Sequence, residues 1–134
     1  MAASAEALMR SRYAAYVRQE IDYIVATTVP AQQGLLDRAA ISAWSRQTEW
    51  DGLAVWQHTM VGRGHAQVAF SAYFREAGQR RQHDELSAFV QIGERWYFID
   101  PTVPLPGMKT ACFCGSGKKF KLCRGRFLRD NEAV

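Results

Sequence analysis

All three cysteines of the chain fall within twelve positions of one stretch, ACFCGSGKKFKLCRG from Ala111 to Gly125, at the spacing C-x-C-x8-C. Thiolates are soft ligands, and a tetrahedral zinc site takes four soft or borderline donors, mostly thiolate and imidazole. Cys112 and Cys114 are two apart, so one tight turn aims both sulfurs at one ion. Gly115 and Gly117 allow the positive φ angles such a turn needs. Their backbone N–H groups, with Lys118, Lys119 and Lys121, offset thiolate charge. One helical turn over KKFKLC returns Cys123 to the same ion. A second chemistry fits the same residues: thiols beside lysines have depressed pKa values and oxidise readily, which makes a redox switch. A third does not fit. The GSGK run lacks a phosphate loop's leading glycine, since Cys112 stands there, and carries Lys119 where Ser or Thr is required.

Away from the cysteines, the polar groups that a cleft would use are Arg10, Arg12, Tyr13, Tyr16, His58, His83, Asp84 and Glu85. Arg12 shares a helical stripe with Leu8 and Ala15, so it is expected to point inward toward Glu85, with Tyr13 beside it. An Arg–Glu pair in a cleft binds a small polar ligand or sets up acid–base work. The same pair also serves as a structural tie from helix to sheet, and this plainer reading is the favoured one. His58, His65 and His83 each lack an H-x-x-H or H-E-x-x-H partner and read as surface or half-buried strand residues. There is no nucleophile elbow, no Gly-rich dinucleotide loop and no second carboxylate at helical spacing. The balance is against an enzyme. Trp44, Trp50, Trp56 and Trp96 read as core or rim residues.

The elements that position these groups follow from hydrophobic period. Met9, Tyr13, Tyr16, Val17, Ile21 and Ile24 fall near one face at helical spacing, with Ser4 as the cap and Pro30 ending the helical region. Ala7 does not complete a capping box. A second helix is expected after Gly34, on Leu35, Leu36, Ala39, Ala40, Ala43 and Trp44. Beyond Asp51-Gly52 the period becomes two, with turn signals at Gly62-Arg63-Gly64, Gly78-Gln79 and Gly93-Glu94. Four strands in hairpin succession result, at about 53–61, 65–76, 80–92 and 95–100. Helices first and an antiparallel meander after is an α+β layout. The run DPTVPLPG, from Asp100 to Gly107, cannot continue a ladder and reads as the linker that ends the domain. The expected division is 1–106 for the domain and 107–134 for the tail.

The net charge of +4 is uneven. Residues 1–108 carry ten Lys/Arg against eleven Asp/Glu, whereas residues 109–134 carry seven against two. An acidic or phosphate-bearing partner would therefore meet the tail first. Phe113, Phe120 and Phe127 are interleaved with those cations, as nucleic-acid binding would use them, but a modest tail on a slightly acidic body makes that the weaker reading. The N-terminal segment holds Glu6 and no long apolar core, so it does not read as a secretory signal. No run approaches the ~20 apolar residues that span a bilayer. The cytoplasm is the expected compartment, where clustered cysteines mean metal or redox chemistry more often than a disulfide.

The cysteine stretch resembles the SEC-C motif, a small metal-binding knuckle found at the end of the SecA translocation motor and elsewhere. Cys112, Cys114, Gly115, Ser116, Gly117, Lys118, Phe120, Lys121 and Cys123 all fit its frame. The resemblance implies zinc, with iron as the alternative. The motif's last ligand would stand at position 124, where this chain has Arg124, and a guanidinium offers no lone pair to a cation. Three thiolates and a dication leave one net negative charge. The fourth position then falls to water, or to His58, His65, His83, Asp130 or Glu132, unless the site no longer holds metal firmly.

Over the rest of the chain, AEALMRSRYAAYV, DYI at 22–24, TEW at 48–50, ELSAF at 85–89 and RWYFID at 95–100 resemble the YchJ-like family in order. Members of that family typically carry a further cysteine knuckle ahead of the first helix, and the expectation here is a chain without it. The resemblance implies a nuclear transport factor 2-like fold, a curved antiparallel sheet wrapped around helices as a cone with an open mouth. Such cones host enzymes, binders and interaction modules alike. The reading that follows is a cytoplasmic protein whose metal-organised basic tail docks on a protein or ribosomal partner. The alternatives are a small-molecule binder or enzyme using the cone, and a thiol redox sensor.

Overall fold

The computed structural model describes residues 2–103. Helix α1 runs Ala5–Arg18 and is capped by Ser4, whose hydroxyl accepts from the Ala7 N–H at 3.1 Å. It stops at Gln19, which adopts the left-handed conformation at φ 60°, so the expected continuous helical face breaks here. A short helix α2, Ile21–Ala26, follows, and Val17 is left exposed.

Pro30 does not end the helical region but opens a helical turn, α3, Pro30–Gln33. Proline is suited to a first helical position because its missing N–H would be unpaired there anyway. What ends α2 is the β-branched run Thr27-Thr28-Val29. It joins the sheet as a parallel bridge beside Phe98, with the Phe98 N–H donating to the Thr27 carbonyl and the Val29 N–H to the Phe98 carbonyl. The second long helix, α4, starts three residues later than Leu35 and spans Arg38–Gln47. Asp37 is its cap, accepting from the Ala40 N–H at 3.0 Å. Leu35 stays outside it and exposed.

The four strands are β1 Glu49–Gly62, β2 His65–Glu76, β3 Gln79–Ile92 and β4 Arg95–Ile99, paired antiparallel in the order β1-β2-β3-β4. Strand β1 begins earlier than the period-two signal because Trp50 and Glu49 already pair with Phe74 and Arg75. Its register slips at Trp50/Gly52, Val55/Gln57 and Met60/Gly62. Each such bulge bends and twists a strand, and three along β1 curl the sheet. At Gly52 the φ of +131° lies outside the range side chains tolerate, and its N–H donates to the Tyr13 hydroxyl at 2.9 Å.

The first turns of α1 close one end of the curved sheet. Ala5, Leu8 and Met9 pack with Ala66, Val68, Phe89 and Trp96 into the buried core. Farther along α1 the sheet curves away, and the same helical face leaves packed core for open space. Among the described residues no helix is long and apolar enough to cross a membrane.

Candidate functional site

That open space is a cavity of about 470 Å³. Met9, Arg12, Tyr13 and Tyr16 of α1 form one wall, and Ala40, Ile41 and Trp44 of α4 the opposing lip. The sheet supplies Trp50, Phe70, Ala72, His83, Glu85, Ser87, Phe89 and Phe98, and the segment after β4 supplies Asp100, Pro101 and Thr102. The three residues singled out for a cleft, Arg12, Tyr13 and Glu85, thus line one cavity. Register explains Glu85. Phe70 pairs with Glu85 and Ala72 with His83, so the Glu85-Ser87-Phe89 side of β3 faces inward together with Phe70 and Ala72.

Arg12 is 7% exposed. Its Nη1 donates to the Ile24 carbonyl at 2.8 Å, to Thr27 Oγ1 at 2.6 Å and to Thr28 Oγ1 at 3.5 Å, tying α1 to the C-terminal end of α2. Its Cζ stacks 4.4 Å from the centroid of Phe98. Carbonyls at a helix end carry partial negative charge, so this is a favourable seat for a cation. The expected Arg12–Glu85 pair does not form. Among the described residues no carboxylate lies within 4.0 Å of the guanidinium, because Nη1 turns back toward α2 while Glu85 sits across the cavity on β3. Burial pulls the Arg12 pKa below its ordinary value, opposed by Tyr16, Asp100, Tyr23 and Glu85 at longer range.

Glu85 instead faces His83, Oε2 to Nε2 at 3.8 Å, with 32% of its side chain exposed. Burial against the cavity wall pushes its carboxyl pKa up, with Asp100 adding to the rise, against the opposing pull of His83, Ser87 and Arg12. Burial likewise raises Tyr16. The Asp100 carboxylate is engaged locally, accepting from the Thr102 N–H at 2.8 Å and hydroxyl at 2.6 Å. The backbone of Asp100 is clamped by buried Gln32, which accepts from its N–H and donates to its carbonyl, both at 2.9 Å. This sets the Asp100–Thr102 rim against α3.

Tyr13, Tyr16, Trp44 and Trp50 form one cluster, with ring centroids 5.3 to 5.8 Å apart and mostly edge-to-face contacts. Edge-to-face pairs suit the ring quadrupole. The Trp50 Nε1–H is buried without a hydrogen-bond partner among the described residues. The Ser45 hydroxyl donates to the Tyr16 carbonyl at 2.6 Å, fixing α4 to α1 and so fixing the lip.

Sequence reasoning missed Ala40, Ile41, Ser87 and Asp100 as wall residues. The signal for Ser87 was present: the inward side of β3 is the more polar of its two alternating sets, as expected where a strand faces a cavity rather than a packed core. Asp100 opens the proline-rich run that reads as a linker, and nothing in sequence places Gln32 against it. Arg10 is exposed and paired with Glu6 on α1. Asp84 lies on the opposite sheet face, where its carboxylate accepts from Ser71 and Gln82, hydrogen bonds that hold its pKa low. His58 and His83 are exposed strand residues, whereas His65 is buried rather than at the surface. Trp96 is core, Trp44 is at the lip and Trp56 is 64% exposed.

Cys112, Cys114 and Cys123, with Arg124, Asp130 and Glu132, lie outside the described residues. Among the described residues no cluster of His, Cys, Asp and Glu is arranged to hold a metal ion. The donor set itself fits zinc or iron: three thiolates within twelve positions, with Arg124 unable to supply the fourth.

Residues 4–101 match the family model of the YchJ middle NTF2-like domain, and residues 108–123 match the SEC-C motif. A UPF0225 protein of Actinobacillus succinogenes is 49% identical over 126 residues, covering 93% of this chain and 82% of that one. One from Haemophilus influenzae is 50% identical over 125 residues, covering 93% and 78%. Among solved structures, the crystal structure of a SEC-C motif containing protein from Psychrobacter arcticus superposes with a TM-score of 0.88 at 48% identity, over 95% of this chain and 77% of that one. The solution structure of a SEC-C motif containing protein from Rhodopseudomonas palustris gives 0.68 at 39% identity, over 78% and 80%.

Proposed function

The chain belongs to the YchJ-like family, with its middle NTF2-like domain and SEC-C motif, and we propose that its cone is a receptor for a small, largely apolar molecule. The observation that carries this reading is the cavity of about 470 Å³ walled by aromatic and aliphatic side chains. Close-packed interiors leave few voids larger than a water molecule, and small-molecule sites run from roughly 300 to 1,000 Å³. We read it as binding rather than turnover because several polar groups of the wall are engaged in holding the fold. Tyr13 holds the Gly52 N–H, Arg12 Nη1 holds the end of α2, and Asp100 holds Thr102. A ligand-observed NMR screen of small apolar fragments tests it, with Ala40→Trp at the lip as the blocked control. Binding to the wild type that Ala40→Trp removes supports the reading; fragments that bind neither protein, or both equally, overturn it.

A second reading is favoured by the SEC-C match over 108–123, which holds all three cysteines. In it, Cys112, Cys114 and Cys123 hold zinc or iron in the reducing cytoplasm, with a water or a borrowed side chain as fourth ligand. When bound, the ion supplies a fixed point that orders the basic tail as a docking surface for a protein or ribosomal partner.

A further inference from the structure

We infer that the cone's ligand is a small carboxylic acid with an apolar, ring-sized body, its carboxylate seated against the open edge of the Arg12 guanidinium. This deepens the receptor reading and rests on it. Arg12 is a buried cation that no carboxylate among the described residues touches. The helix-end carbonyl and the Phe98 ring offset part of the cost of burying that charge, and a bound anion in contact offsets more of it.

The guanidinium is also oriented for such a contact. All its hydrogen bonds among the described residues are made by Nη1, which faces α2. Among the described residues Nε and Nη2 make none, and Arg12 lines the cavity. Two adjacent N–H groups in one plane match the two oxygens of a carboxylate. Stacking on Phe98 holds that plane.

Of the other charged groups that line the cavity, Asp100 engages Thr102 through Oδ1. Glu85 lies beside His83, and burial raises its carboxyl pKa. Tyr16 is held as the neutral phenol. Around this polar floor, Met9, Phe70, Phe89 and Trp50 give the walls an apolar character that suits a ring or short branched chain.

Calorimetric titration of the full chain with 3-phenylpropionate, its amide and 2-phenylethylamine separates the possibilities. The carboxylate is expected to bind at least ten-fold more tightly than the amide, with the amine weakest, and Arg12→Gln is expected to erase the difference between carboxylate and amide. Should Arg12→Gln fail to fold, Ala72→Phe, which narrows the cavity from the sheet side, is expected to weaken the carboxylate at least ten-fold. Equal binding of amide and carboxylate, or tighter binding of the amine, overturns the carboxylate assignment and leaves the receptor reading standing. If none of the three probes binds at millimolar concentration, both fall.

Discussion

Arg12 and Phe98 stack with the guanidinium carbon 4.4 Å from the ring centroid, and this contact ties α1 to the last strand of the sheet. Phe98 in turn exchanges hydrogen bonds with Thr27 and Val29, next to the carbonyl of Ile24 on which Arg12 Nη1 ends. One side chain thus joins α1, the α2 terminus and β4 at the floor of the cavity.

Removing that junction has a measurable cost. Arg12→Ala leaves the Ile24 carbonyl without its Nη1 donor, although Thr27 and Thr28 hydroxyls also donate to it. It also strips the packing over Phe98. A loss of about 2–4 kcal/mol is expected from the broken buried network, read from urea unfolding midpoints. A change below about 0.5 kcal/mol would show that the junction is not formed.

Glu85 makes stability depend on pH. Its folded pKa is raised, so the folded state binds the proton more tightly than the unfolded chain. Its contribution is therefore most favourable below the ordinary glutamate range and is lost as pH rises through that range to the folded pKa. Glu85→Gln removes the dependence. The variant should melt above the wild type at neutral pH, by no more than about 1 kcal/mol of stability for a partly exposed group, and the gap should close on acidification. Calorimetry across that range checks the sign.

Tyr13 supports the bulge that shapes the mouth. Tyr13→Phe leaves the Gly52 N–H without its acceptor at a position where β1 has slipped register. The expected cost is about 1 kcal/mol, with faster hydrogen exchange at Gly52 and little change in β3. Protection at Gly52 equal to the wild type would mean that another group accepts from it.

Much of the fold was legible because period and turn chemistry agree. Strand β2 spans 65–76 as its alternation predicts, and the Ser4 cap sits where α1 begins. Errors came where a local signal had two meanings. Pro30 both stops and starts helices, and here it starts one. Leu35 and Leu36 carry helical spacing but precede Asp37, whose cap sets the true start. The cavity was legible only in part. Arg12, Tyr13 and Glu85 were nameable from helical stripe and strand parity. That Arg12 turns away from Glu85 depends on where α2 ends, which depends in turn on the Thr27–Val29 bridge to Phe98, a contact some seventy residues distant in sequence.

The cysteine stretch makes a separate prediction. Protein purified without added metal should carry about one equivalent of zinc or iron by elemental analysis, and the triple variant Cys112→Ser, Cys114→Ser, Cys123→Ser should carry none. The unfolding midpoint of the cone should not move between the two. Metal-free wild-type protein, or a triple variant that retains the ion, would contradict the three-thiolate site. Alkylation of the thiols at equal rates with and without chelator would favour the redox reading.

The receptor reading is tested most directly by the indole N–H resonances of the four tryptophans while 3-phenylpropionate is added. Trp44 and Trp50 line the cavity, Trp96 is buried in the packed core and Trp56 hydrogen-bonds Ser71 on the opposite sheet face. Saturable shifts at Trp44 and Trp50, with Trp56 and Trp96 unmoved, are the predicted result. Shifts confined to Trp56, or none at any indole up to the solubility of the acid, would contradict it.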